Sequence, residues 1–393
     1  MFYNIKGMVL FMTAYFGALF YTASGLAGFD VWGRGGIAVF ALWLLFGLTL
    51  PLGIFQESYS QQLRRLGGVA LTFVLHLAVA FLFLDVWTFT ADFLSFSRPS
   101  RHAVLIVMNA TFLWIAYGVA RAQRIVIRSL KVSLFSSAAH PPVKIVVVAD
   151  IHAGGTVERR YLERLRKRIG DCRPDVLLLV GDIVDGDIPC AEEAGIDDML
   201  SAISAPLGKY AVLGNHDIYA GASASRLLLE KAGVTVLQDE ALVIDNAFIL
   251  AGRNDPRGRY FGLQRSPLVR ILKNTAQPPL PIVVADHTPV KLNEADACGV
   301  ALQFSGHTHG GQVFPFNLMM KWIYGISAGV ICEGRTTVCV SSGAGLWTMP
   351  LRTVTDSEIV QCTLSFDPSA AEDTPPTASC VPDDRPRSVY EVK

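Results

Sequence analysis

The stretch PDVLLLVGD, Pro174 to Asp182, runs five consecutive apolar residues into a glycine and a carboxylate. Two other stretches have the same shape: KIVVVAD, Lys144 to Asp150, before it, and KYAVLGNHD, Lys209 to Asp217, after it. Short continuous apolar runs suit strands buried on both faces. Between them, YLERLRKRIGD (161–171) and AEEAGIDDMLSAIS (191–204) have helical spacing. There are 32 residues from Asp150 to Asp182 and 33 on to Asn215, the length of a βαβ unit. Strands alternating with helices predict an α/β domain. In open α/β sheets ligands bind beyond the carboxyl ends of the strands, where each of these polar clusters falls.

Outward from this core, Val234 to Gly252 reads as short strands with tight turns. Leu280 to Pro289, Val300 to Ser305, Thr336 to Val340 and Ser357 to Phe366 read as further strands. RIVIRSLKVSLF, Arg124 to Phe135, alternates apolar and polar residues, as a half-buried strand or an interfacial segment would; the strand is favoured. SSAAHPP, 136–142, reads as a linker. Residues 366–393 are rich in Pro, Ser and acids and predict a disordered tail.

The first third of the chain has a different composition. Of 393 residues, 51% are hydrophobic and 17% charged, against about 25% charged in an ordinary soluble domain. Four runs free of charge, at about 8–29, 36–56, 67–84 and 102–120, approach the ~20 residues that a helix needs to cross a bilayer. They predict a four-helix transmembrane region over residues 1–122. Four spans put both ends on one side. That side carries Lys6, Arg64, Arg65, Arg121, Arg124, Arg128 and Lys131, and the other carries Arg34, Arg98 and Arg101. The positive-inside bias then makes the C-terminal domain cytoplasmic. His76, inside the third run, reads as a hydrogen-bonding partner between helices. His76 and Asp85 are the only hints of a channel or transporter.

Zero net charge gives no electrostatic footprint for nucleic acid. Seven scattered cysteines, without a Cys-x-x-Cys pair, fit neither a disulfide framework nor a zinc site.

Five of the eight histidines fall at strand ends, in Asp150-Ile151-His152, Gly214-Asn215-His216-Asp217, His287 and Gly306-His307-Thr308-His309. Gly181-Asp182-Ile183-Val184-Asp185 adds carboxylates. Carboxylates and imidazoles converging at one sheet edge suit a divalent metal centre. On an extended segment Asp150 and His152 point the same way and can grip one ion. Around His307 and His309 the glycine-rich turn lets the two rings diverge. Asp182 offers two oxygens with which to bridge two cations. Asp217 reads as closing its own turn.

In order and spacing, D-x-H, G-D-x-x-D, G-N-H-D, H and G-H-x-H resemble the calcineurin-like metallophosphoesterase superfamily. GHTHGGQ and the segment from Val340 to Val360 resemble its bacterial membrane-attached branch. The resemblance covers Ile145 to Leu364, not the apolar runs. ADHTP departs from it, with Asp286 where relatives more often have Ser before the histidine.

The resemblance implies an α/β/β/α sandwich over 123–365 and two divalent ions, with Mn, Fe or Zn equally suited. Asp150, His152, Asp182 and His309 would hold the first ion, and Asp182, Asn215, His287 and His307 the second. His216 would protonate the leaving group or stabilise the transition state, and Asp185 would orient it. The implied reaction is attack by a metal-bridged hydroxide on a phosphomonoester or phosphodiester. A lipid-linked or nucleotide-sugar substrate at the bacterial inner membrane is the preferred expectation, because relatives include enzymes that cleave UDP-linked acylated glucosamine. Arg253 and Arg352 are candidates for phosphate. The rival is a metal-binding docking or scaffold module without catalysis; the complete ligand set and His216 argue against it. Oligomeric state is left open by the sequence.

Overall fold

The computed structural model describes residues 5–28, 36–55, 61–136, 140–273, 280–367 and 377–381. Arg34, part of the predicted linker (137–139) and most of the predicted tail (368–376 and 382–393) lie outside the described residues. Contacts divide the chain into two units: Met1–Arg121 with Thr348–Thr353, and Ala122–Trp347 with Val354–Lys393. A short segment distant in sequence thus joins the apolar helices and interrupts the continuous block expected over 123–365.

In the first unit, α1 (Ile5–Gly28), α4 (Gln61–Leu94) and α5 (Arg101–Ala122) contain the three helices long and apolar enough to cross a membrane among the described residues. The second predicted span is broken into α2 (Gly36–Gly47) and α3 (Thr49–Phe55). Pro51 has no N–H to offer the carbonyl four residues back, so the ladder fails at Gly47. The Tyr15 hydroxyl donates to that carbonyl at 2.7 Å and satisfies it. α4 runs past Asp85, where the third span was expected to stop, and the Tyr21 hydroxyl donates to the Asp85 carboxylate. His76 bonds the Thr72 carbonyl of its own helix at 2.8 Å rather than a neighbouring helix.

The second unit holds two sheets. The strands and helices follow in the order β1 (Ile125–Phe135), β2 (Val143–Val148), α6 (Arg159–Cys172), β3 (Val176–Val180), α7 (Ile188–Ala194), α8 (Ile196–Ser201) and β4 (Lys209–Val212). Next come α9 (Asn215–Tyr219), α10 (Ala222–Lys231), β5 (Thr235–Val236), β6 (Glu240–Ile244) and β7 (Phe248–Gly252). The remainder is α11 (Leu268–Lys273), β8 (Ile282–Ala285), α12 (Leu292–Ala297), β9 (Val300–Ser305), α13 (Phe316–Tyr324), β10 (Gly329–Glu333), β11 (Thr336–Val340), β12 (Ser357–Asp367) and β13 (Thr377–Val381). The first sheet has the order β13-β1-β12-β2-β3-β4-β5, and the second β10-β11-β9-β8-β7-β6. Strands β2 to β5 are parallel, as the repeated strand–helix pattern requires.

The faces alternate along each strand. Ile145 and Val147 of β2 and Leu178 of β3 pack into the core shared with Phe248, Leu250 and Phe304 of the second sheet. Val146, Val148, Leu177 and Leu179 face the other way, onto Leu162, Leu165 and Ile169 of α6. On the far side, Leu268, Ile271 and Ala295 of α11 and α12 cover Ala251 and Val284. The result is the expected α/β/β/α sandwich. Helix 191–204 breaks into α7 and α8 at Gly195 (φ 83°).

The tail differs from expectation. β13 pairs antiparallel with β1, Leu130 opposite Cys380, inside the stretch predicted to be disordered.

Candidate metal centre

The strand ends converge. β2 leads to Asp150 and His152, β3 to Asp182 and Asp185, β4 to Asn215 and His216, β8 to His287, and β9 to His307 and His309. Asp150, His152, Asp182, His307 and His309 have φ between 50° and 70°. Such backbone is uncommon outside glycine and marks turns over-determined by their surroundings. The expectation of an extended Asp150–His152 segment is therefore corrected: both residues are left-handed (φ 54° each) and are aimed by a turn rather than by strand alternation.

Two sets of donors result. Asp150, His152 and His309 form one, and Asp182, His287 and His307 another; a third grouping that could hold an ion, His152, Asp182 and His216, overlaps both. His152 Nε2 lies 3.0 Å from His309 Nε2, and His309 Nε2 lies 3.6 Å from Asp150 Oδ1. Asp182 Oδ2 lies 3.2 Å from His287 Nε2 and 3.8 Å from His152 Nε2, so one carboxylate stands between the sets. The rings of His307 and His309 turn apart, the first onto His287 at 5.2 Å and the second onto His152 at 4.9 Å.

The donors fit cations. His287 donates Nδ1–H to the Val180 carbonyl at 2.9 Å; burial would lower this imidazole, but Asp182, 3.2 Å from Nε2, raises it well above its ordinary value, so a cation there would take the place of the Nε2 proton. Asn215 Oδ1 is a buried acceptor without a hydrogen-bond partner. Orphaned acceptors beside carboxylates are costly unless a cation satisfies them.

Backbone amides hold the carboxylates. His307 N–H donates to Asp150 Oδ1 at 2.9 Å, and His216 N–H to Asp182 Oδ1 at 2.7 Å. Both approaches need glycine: a Cβ on Gly306 would strike Asp150 Oδ2, and one on Gly214 would strike Asp182 Oδ1. Asp217 accepts from Ile183, Val184 and Gly214 at 2.8–2.9 Å, tying the β3 and β4 turns together as expected.

Electrostatics separate the imidazoles. Burial alone would lower His216, but the carboxylates of Asp182 and Asp185 outweigh it and raise it to about 9. His216 donates Nδ1–H to Asp185 Oδ1 at 3.0 Å. Burial resists the charge on Asp185 too, and the His216 imidazolium overcomes it and lowers the acid. Burial first, then the neighbouring His216, lower His152 to about 4. Burial first, then His287, lower His307 to about 3. Both stay neutral, as metal ligands must be.

Of the two arginines expected to bind phosphate, Arg253 has its guanidinium among acids and Arg352 is fully buried. Arg253 is buried, with Nη2 3.1 Å from Glu294 Oε2 and 3.2 Å from the Ser266 carbonyl, and Nη1 3.5 Å from Asp286 Oδ2. Arg352 lies in Thr348–Thr353, the segment that joins the apolar helices; it is fully buried and its backbone N–H donates to the Gly118 carbonyl at 3.0 Å. Sequence position shows that an arginine is near a motif, not where its guanidinium is engaged.

Three residues went unread in the sequence. The Tyr324 hydroxyl sits 2.9 Å from His307 Nε2. The Tyr219 ring packs 5.6 Å from His216. Arg257, exposed on the 3-10 turn Pro256–Phe261, lies close enough that its charge is felt at His307, Tyr219 and Tyr324. For Tyr219 alone a signal existed, since it lies three residues past His216 on one helix face.

A family model described as calcineurin-like phosphoesterase matches residues 143–311. An uncharacterized metallophosphoesterase of Aquifex aeolicus is 32% identical over 226 residues, covering 56% of this chain and 85% of that protein. The chain belongs to the calcineurin-like phosphoesterase family. It falls in the branch that the GHTHGGQ ending resembles. The Campylobacter jejuni uncharacterized metallophosphoesterase Cj0846 is 34% identical over 221 residues, with 56% of this chain and 58% of that protein aligned. A Danio rerio protein named as a transmembrane protein with metallophosphoesterase domain is 28% identical over 233 residues, with 56% and 53% aligned. The chain thus spans little more than half the length of the last two. The chain is thus a member of a phosphoesterase family and carries three helices long and apolar enough to cross a membrane among its described residues.

Proposed function

We propose that this chain is a membrane-anchored, dinuclear phosphoester hydrolase with its catalytic unit on the cytoplasmic side. The observation that carries the reading is the paired donor sets with Asp182 between them and an Asp185-held His216 beside them. Asp150, His152, Asp182 and His309 would hold one divalent ion, and Asp182, Asn215, His287 and His307 the other. Carboxylate, amide and imidazole donors suit Mn, Fe or Zn. When bound, such a pair lowers the pKa of water and neutralises phosphate charge.

The chain's own residues supply the rest. With Nδ1–H given to Asp185, His216 keeps its second proton at Nε2 for the departing oxygen, and the nearby carboxylates keep the ring charged at neutral pH. Arg257 takes the phosphate-binding role first expected of Arg253 and Arg352, because its guanidinium is exposed at the site. A phosphodiester or pyrophosphate carried on a lipid or nucleotide sugar suits an enzyme held at the bilayer.

The test is full-length protein in nanodiscs, loaded with Mn²⁺ and given aryl phosphate mono- and diesters. Hydrolysis is expected. Absence of turnover with every divalent metal, at verified metal content, overturns the enzyme reading. Protease added to intact cells should spare a C-terminal tag, and cleavage from outside overturns the cytoplasmic placement.

A further inference from the structure

An amphipathic helix normally hides its apolar stripe, as α6 does with Leu162, Leu165 and Ile169. α13 does the opposite. None of its nine residues is buried. Among the described residues of the second unit, eight large apolar side chains stand exposed, and five of them are Phe314, Leu318, Met319, Trp322 and Ile323. On the helix they form stripes at i, i+4, Leu318 with Trp322 and Met319 with Ile323, and Phe314 just precedes them. Trp322 is 86% exposed. So concentrated an apolar surface marks an interaction site.

We infer that α13 docks on the lipid bilayer and presents membrane-embedded phosphoesters to the metal centre. Three observations select a bilayer as the occupant. The helix carries one charge, the exposed Lys321, and no carboxylate, a composition suited to anionic headgroups. Exposed Trp with Leu, Met and Ile is the makeup of helices that lie in the membrane interface. The unit is also tethered to the membrane twice. Only residues 123 and 124 separate α5 from β1, and Thr348–Thr353 belongs with the apolar helices.

The helix ends at the chemistry. Tyr324, its last residue, holds His307 at 2.9 Å, and the charge of Arg257 is felt at Tyr324. An amphiphile whose apolar part lies along Leu318 and Trp322 would therefore bring its phosphate towards Arg257 and the donor sets. This step rests on the phosphoesterase reading; the bilayer contact itself does not.

The experiment has two arms, both with the full chain in vesicles of phosphatidylethanolamine and phosphatidylglycerol. In the first, a benzoylphenylalanine photo-cross-linker replaces Trp322 or, as control, Leu227 on α10, which is 65% exposed. Lipid adducts at 322 and not at 227 are expected by mass spectrometry. Adducts at 322 only to protein, or equal lipid adducts at both positions, overturn bilayer docking without touching the enzyme reading. In the second, the double variant Leu318→Glu, Trp322→Glu should lower turnover of a vesicle-embedded phosphodiester at least about tenfold. Its turnover of a soluble aryl phosphodiester should stay unchanged. Equal loss on both substrates, or on neither, overturns the presenting role.

Discussion

The two donor sets differ in what holds their rings. Asp150, His152 and His309 are all buried, and all have positive φ. In the other set, His287 is fixed by a hydrogen bond from its own ring to Val180, and His307 by a hydroxyl from α13. Positive φ is common to both sets, since Asp182 (51°) and His307 (70°) share it, and the second set adds hydrogen bonds of its rings to Val180 and Tyr324. A site held by backbone should lose its ligand geometry only with the ligand itself. A site held by ring hydrogen bonds should also be tunable from outside, as outer partners of metal-bound histidines commonly are.

Asp182 is where the comparison breaks most severely, because it faces both sets. Asp182→Asn should empty both and reduce turnover to background, which metal analysis beside an aryl phosphate assay would show. If it lost one ion and kept the other, the shared-carboxylate reading would fall. The histidine pair sharpens the same point on a smaller scale. His309→Ala should deplete the first set first, and His307→Ala the second. Stepwise metal titration of each variant distinguishes the two, and identical loss from both would mean that the sets are one.

The legible part of this fold was the part in which side chains alternate between two apolar environments. Strands β2, β3 and β4 could be read because Val and Leu runs end in Gly, Asp or Asn, and a polar strand end is where such sheets place ligands. The seven expected ligands share this signal. What escaped were effects of distant neighbours. Pro51 broke a span whose apolar content looked continuous, and Tyr15 made the break tolerable. Asp85 seemed to end a helix until Tyr21 supplied its partner. Tyr324 approaches His307 from α13, a helix that lies outside every motif read in the sequence. Local pattern fixes period and length, whereas a partner that makes a polar or strained feature affordable can lie anywhere in the chain.

His216 lies with His152 and Asp182 in a third grouping that overlaps both sets, so replacing it tests whether it serves as acid or as ligand. Its backbone N–H supports Asp182, a contact that any residue at 216 retains. His216→Ala should therefore keep both ions while turnover falls about 10²–10⁴-fold, the usual worth of a positioned acid. Loss of metal would instead make it a ligand. Asp185→Asn should follow in the same direction with a smaller loss, because Nδ1 then loses a charged partner but the ring remains.

The smallest expected effect tests the tunable set directly. With Nε2–H donated to the Tyr324 oxygen, Nδ1 keeps the lone pair for a metal ion, and Tyr324→Phe removes the group that selects this tautomer. Metal affinity at the second set should weaken by about 10–100-fold, the common cost of losing an outer partner. Turnover should recover at saturating Mn²⁺, since no ligand has gone. A matching change at the first set is Thr355→Val, which removes a 3.0 Å hydroxyl bond to the His309 carbonyl and leaves the ring alone. It should barely move the metal titration. If the two variants shifted the titration equally, the contrast between a set held by backbone and one held also by its rings would be gone; a shift from Tyr324→Phe alone would show that α13 acts on the chemistry through one hydroxyl.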